Sequence, residues 1–145
     1  MTGQENGLSR EMIGQMIDLA VEMMQRAYAP YSHFTVGAAL LTKAGKLYGG
    51  CNVENAAYSP GSCAERTAIC KAVSEGERKF RAIAIVGGRE AVMDGYCPPC
   101  GVCRQVMREF CDPESFRVIL ATGREEYKIM TLQELLPESF GPENL

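Results

Sequence analysis

Two short cysteine motifs constrain this chain more than any other feature. One is Cys63-Ala64-Glu65-Arg66 and the other is Pro99-Cys100-Gly101-Val102-Cys103. Each stands at the expected start of a helix, the first over Ala64 to Ser74 and the second over Gly101 to Phe110. Cys100 and Cys103 are three residues apart, a spacing that puts both on one helical face. Helix N-termini favour negative charge, and so favour the thiolate form that zinc needs. Three sulfurs leave the fourth position of a tetrahedral ion open, as in catalytic zinc sites, whereas a fourth Cys or His would close it into a structural one.

Each half-motif alone has a plainer reading. A single C-x-x-C is also found in redox pairs, in halves of structural zinc sites and as two buried cysteines. Cys97-Pro98-Pro99-Cys100 is itself C-x-x-C, so Cys97 is a candidate fourth ligand. Ser62 to Glu65 matches a capping box, in which the Glu only reaches back to the cap. Together the halves favour a metal, with the Glu65 carboxylate two residues beyond one ligand and placed to touch metal-bound water. The total of seven cysteines is odd. The polar N-terminus, Met1 to Arg10, lacks the apolar core of a signal peptide. A reducing, cytoplasmic location is therefore expected, where cysteine clusters serve metals or catalysis rather than disulfides. Cys51, Cys70 and Cys111 stand singly and read as small buried hydrophobes.

The 145 residues fit one domain, 1–145, and can bury a core unaided. Residues 1–8 are expected to be flexible. A net charge of −3, a pI near 5.3 and the absence of any run of Lys or Arg longer than two argue against nucleic acid and for a small substrate. No apolar stretch approaches a membrane span.

Periodicity predicts an amphipathic helix from Arg10 to Ala27, capped by Ser9. A hairpin follows, Thr35 to Thr42 and Lys46 to Val53, turning at Lys43-Ala44-Gly45. Beyond the first cysteine helix come a strand over Arg81 to Val86 ended by Gly87-Gly88, and a loop from Arg89 to Pro99. After the second helix come strands over Phe116 to Ala121 and Tyr127 to Met130, a short helix over Thr131 to Leu136, and an irregular tail. Strands alternating with helices imply an α/β fold whose partly parallel sheet is covered on both faces and opens with an antiparallel hairpin.

The zinc segments resemble those of nucleobase deaminases, whose signature is a ligand, one residue, a Glu, and later Pro-Cys-x-x-Cys. With Cys63 as first ligand, the chain is similar to the small, free-nucleoside cytidine deaminases. The resemblance covers nearly the whole chain. It includes Tyr31-Ser32-His33-Phe34 with Val36 to Leu40, Gly50 to Ala56, both zinc segments, and Leu135 to Pro142. The loop 89–99, with its extra Cys97, departs from it.

This resemblance implies a three-layer α/β/α fold with a mixed five-stranded sheet, one Zn²⁺ per chain, and a homotetramer with shared active sites. It implies hydrolysis of cytidine and 2′-deoxycytidine to the uridines with release of ammonia, in pyrimidine salvage. Glu65 would shuttle protons, and Arg66 would hydrogen-bond the cysteine sulfurs. Phe34 would pack on the pyrimidine, Asn52 and Glu54 would bind the ribose, and Ala64 would contact substrate. Ala56, Tyr58 and Phe140 would act across a subunit interface, with 135–145 as a tail over the active site. His33, the only histidine, reads as structural. A nucleoside-antibiotic deaminase of the blasticidin type and a non-enzymatic zinc module with Cys97 as fourth ligand are the alternatives.

Overall fold

Hydrophobic residues fill consecutive positions in three stretches of this chain, and a strand buries such a run only where both faces of its sheet are covered. The computed structural model describes residues 3–145. Its elements, in chain order, are β1 (Gln4–Glu5), β2 (Leu8–Ser9), α1 (Arg10–Met24), β3 (Phe34–Thr42), β4 (Leu47–Cys51), α2 (Ala64–Ser74), β5 (Phe80–Arg89), α3 (Gly101–Phe110), β6 (Arg117–Ala121), β7 (Tyr127–Thr131) and α4 (Leu132–Leu135). The main sheet has five strands in the order β4-β3-β5-β6-β7, and only the β5–β6 pair is parallel.

Alternation sorts the strand residues onto two cores. Ala38, Leu40, Ile83, Ile85, Val118 and Leu120 join α2 and α3 on one face. Ala39, Leu41, Ala82, Ala84, Val86, Ile119 and Ala121 join α1 on the other. The layers are therefore α1, sheet, and α2 with α3. Two close approaches require glycine. A Cβ on Gly37 would meet the Ala20 carbonyl oxygen of α1 at 1.9 Å, and one on Gly50 would meet Ala68 N and Ala64 O of α2 at 2.5 and 2.6 Å.

This topology positions the site. β4 and β5 both run antiparallel to β3, so they point the same way, and β6 lies parallel to β5. α2 crosses from β4 to β5 and α3 from β5 to β6. Successive crossovers of one hand that advance in one direction lie on the same face of a sheet. Both helices thus begin at the same end of the sheet, and their N-termini come together.

Several boundaries differ from expectation. The lead-in expected to be flexible carries a small antiparallel hairpin of β1 and β2 among its described residues, with Leu8 buried. Ser9 caps α1 by accepting from Met12 N, but the helix stops at Met24. β5 does not end at Gly87-Gly88. Both glycines stay paired with β3, and their missing side chains leave room for the following loop: a Cβ on Gly88 would meet Val92 O at 1.8 Å. Pro30 to Ser32 form a turn ahead of β3, followed by His33 at φ +59°.

Candidate metal centre and active site

Cys63 and Cys100 are the N-caps of α2 and α3, each with extended backbone and no side-chain capping bond. An N-cap side chain ordinarily accepts a hydrogen bond from the first turn; here a thiol stands in that place and faces the neighbouring helix start. Cys103 lies one turn into α3, fully buried. The three sulfurs lie within 4.8 Å of one another, with Cys63–Cys100 at 3.8 Å and Cys100–Cys103 at 3.5 Å. A tetrahedral Zn²⁺ with bonds of about 2.3 Å holds its sulfurs close to such separations, roughly 3.8 Å apart.

The electrostatics also call for a cation. Hydrogen bonds from Cys103 and Arg66 draw the Cys63 thiol down to about 5. The Cys103 thiol is pushed up, by its bond to that thiolate and by burial. One sulfur ionises readily and makes ionisation of its neighbour costly, which a divalent ion reverses. The donor set therefore fits zinc. Arg66 supplies positive charge from the protein: its Nη2 donates to Cys63 Sγ at 3.7 Å and to the Gly61 carbonyl at 3.3 Å. Its Nε is buried without a hydrogen-bond partner among the described residues.

Glu65 is 4% exposed. Burial pushes its carboxyl up to about 7, and the Cys63 charge adds to the rise. The capping-box reading fails, because the N-cap is Cys63 rather than Ser62. Ser62 Oγ instead pairs with Thr67 Oγ1 at 3.3 Å. The four-sulfur reading fails too: Cys97 is not in the sulfur cluster. Its Sγ fills the space beside Gly87, 2.8 Å from where a Cβ would stand. Burial pushes its thiol up to about 11, aided by the negative charges of Glu65 and Cys63.

A cavity of about 570 Å³ opens beside these groups. Cys63, Ala64, Glu65, Arg66 and Cys100 form one side, and Asn52, Glu54 and Tyr58 another. Asn52 Oδ1 accepts from Val36 N, and Nδ2 donates to Phe34 O, both at 2.8 Å. Glu54 accepts from Tyr31 N at 3.0 Å, from Ser32 N at 3.1 Å and from the Ser32 hydroxyl. These bonds, led by those from Ser32, hold its carboxyl below the usual range. Each group is fixed by backbone yet keeps hydrogen-bonding capacity, since an amide has two donors and a carboxylate about four lone-pair sites.

Phe34 and Ala56 do not line this cavity; Val36, on the same face of β3 as Phe34, does. Nor does the tail lie over its own chain's cavity. It is held on α3: Arg104 Nη1 donates to Leu135 O at 2.7 Å, Gln105 Nε2 to Phe140 O at 2.9 Å, and Arg108 to Ser139 Oγ at 2.7 Å and to Glu143. The Phe140 side chain remains 59% exposed. Ser32 and Cys97 also line the cavity; the sequence marks Cys97 only as a candidate fourth ligand and assigns Ser32 no role. Ser32 sits in the quoted segment before β3, and no spacing rule connects it to Glu54.

The model of the cytidine and deoxycytidylate deaminase zinc-binding region matches residues 10–119. The chain belongs to this deaminase family. A cytidine deaminase of Sporosarcina psychrophila is 46% identical over 133 residues, covering 92% of this chain and 94% of the relative. One from Halalkalibacterium halodurans is 44% identical over 138 residues, covering 95% and 98%. The crystal structure of cytidine deaminase from Burkholderia pseudomallei superposes with a TM-score of 0.79 at 44% identity, over 87% of this chain and 97% of that one. The Mycobacterium tuberculosis enzyme gives 0.75 at 35% identity, over 88% and 95%. As a member of the deaminase family the chain is a zinc-dependent hydrolase, and the three-sulfur cluster is the group positioned to hold the metal.

Proposed function

We propose that this deaminase converts cytidine and 2′-deoxycytidine to uridine and 2′-deoxyuridine, releasing ammonia. The observation that carries the reading is a buried carboxylate, Glu65, beside a three-sulfur cluster at the wall of a nucleoside-sized cavity. Cys63, Cys100 and Cys103 would hold a Zn²⁺, which when bound would supply a water acidic enough to serve as nucleophile near neutral pH. Glu65 passes one proton of the attacking water to ring N3 and the second, taken from the hydroxyl then at C4, to the leaving amine, which departs as ammonia. A carboxyl poised near neutrality suits both directions of transfer. Asn52 and Glu54 bind the ribose, with their hydrogen bonds to β3 and the 31–32 turn keeping them in place. Ala64 and Val36 offer apolar wall.

The exposed aromatics support a shared site. Phe140 projects from a tail fastened to α3 without covering its own cavity, and Tyr58 at the cavity mouth is 90% exposed. Apolar groups left in solvent around a site mark a surface that a partner covers. In this reading a homotetramer closes each cavity: Phe140 and Ala56 come from neighbouring chains and meet the chain's own Tyr58 at the mouth, and Phe34 packs on the base once the site is closed. The enzyme then acts in cytoplasmic pyrimidine salvage. No helix among the described residues is long and apolar enough to cross a membrane. Ammonia release from cytidine, deoxycytidine and cytosine tests the assignment: both nucleosides should react and the free base should react poorly. Failure of both nucleosides would overturn it.

A further inference from the structure

At the far end of the sheet a second cavity, of about 380 Å³, is lined by Lys43, Arg81 and Arg117 together with Ser115, Asn6 and Gly7. It sits where β3 ends and β5 and β6 begin, under the turn of the β1–β2 hairpin. Thr42 pairs with Phe80 here, whereas Phe34 pairs with Arg89 at the zinc end. The length of β5 therefore separates it from the metal centre, about 30 Å at the rise of a strand.

The charge balance is unusual for a chain of net charge −3. Three cationic side chains line the cavity and no carboxylate does. None of the three makes an ion pair among the described residues. Arg81 donates to Gly7 O at 3.0 Å and Arg117 to Glu114 O at 2.8 Å, so both guanidiniums are anchored by backbone carbonyls that leave their charge unneutralised. The Glu134 carboxylate feels Arg117 but is taken up by Thr131, accepting from its N and Oγ1 at 2.9 and 3.1 Å. Arg117 Nε is buried and has no hydrogen-bond partner among the described residues. An unsatisfied buried donor costs stability that a ligand can return.

We propose that this cavity binds a multiply charged phosphate, the phosphate chain of a nucleoside triphosphate or free polyphosphate. Guanidinium forks match phosphate oxygens two at a time and a lysine adds a point charge. Like cations held together without counter-charge focus a field that concentrates anions. The volume suits linked phosphates better than a lone one. Asn6 adds a neutral donor, whereas the Ser115 hydroxyl is already donating to Asp112 at 2.9 Å.

The zinc-loaded enzyme, titrated calorimetrically at fixed ionic strength with tripolyphosphate and separately with ATP, should show saturable binding. The exposed pair Lys43→Gln/Arg81→Gln should weaken it at least about tenfold while deamination of cytidine stays unchanged. Equal affinity for both probes assigns recognition to the phosphate chain alone, and tighter ATP binding adds the nucleoside. Extraction of zinc by either probe would be the same in both proteins and so could not imitate the difference. Absence of saturable binding, or an unaltered affinity in the double variant, overturns the proposal.

Discussion

Glu65 illustrates how much one side chain's environment decides. The same residue on a solvated first turn would be a cap; at 4% exposure, with its carboxyl raised to about 7, it is suited to the proton-carrying role proposed for it. Glu65→Gln should keep fold and zinc but lose activity by about 10²–10⁴-fold or more, as read by steady-state ammonia release alongside metal analysis. A modest slowing would place the base elsewhere. The cysteines separate in the same way. Cys100→Ala should lose zinc and activity, while Cys97→Ala, which removes a thiol packed on Gly87, should retain about one zinc per chain. Arg66 acts through charge. Its hydrogen bond helps hold the Cys63 thiol near 5 rather than 9.0, so its removal raises that value and lets protons compete with zinc at higher pH. Arg66→Gln should shift acid-induced zinc release, followed with a chromophoric chelator, upward in pH, and should lower activity by about 10–100-fold. An unmoved release curve would leave Arg66 as a surface charge.

At the scale of elements, the glycines that seat the helices matter as much as the ligands. Gly50→Ala would drive a Cβ to within 2.6 Å of α2 backbone at Ala64 and Ala68. Overpacking of this kind costs about 1–3 kcal/mol. The strain falls on the turn that carries Cys63 and Glu65, so melting temperature and zinc affinity should drop together. Gly45→Ala is the control: its φ of +100° costs backbone strain in open space, and zinc binding should not change. Which elements could be read from sequence follows from the same physics. α2, α3 and the hairpin of β3 and β4 carry local signals: cysteine caps, helical period, and a turn at Gly45. β5 runs past its sequence signal because Gly87-Gly88 is locally a stop, whereas tertiary packing of the 89–97 loop makes the pair a necessity within the strand. The hairpin at 4–9 carries no such signal, because its buried contribution is a single Leu8. The sulfur cluster was legible because ligand chemistry fixes spacing. Ser32 was not, because its link to Glu54 spans 22 residues and follows no period.

For the whole molecule, the decisive question is how a chain of this size closes its cavity. The site's deep end is built within one chain: two helix N-termini, three sulfurs and Glu65. Its mouth is open in the single chain: Tyr58 is exposed to solvent and the tail is fastened to α3 by Arg104, Gln105 and Arg108. Arg108 is itself a buried charge paired with Glu143, so the tail's position is specified, and Phe140 does not line its own chain's cavity. A polar nucleoside needs water excluded from around its base, a need that the proposed shared site would meet with an aromatic from a neighbouring chain. Phe140→Ala should therefore weaken substrate binding and catalysis while zinc stays bound, and truncation before Pro137 should do the same. Mixing Phe140→Ala chains with Glu65→Gln chains separates action within a chain from action between chains. In hybrids, a subunit with intact Glu65 receives an intact Phe140 from its neighbour, and activity should rise above either parent once mass spectrometry verifies subunit exchange. Verified hybrids without recovery, together with a Phe140→Ala enzyme that behaves as wild type, would reduce the tail to packing and leave the cavity to be closed from within the chain.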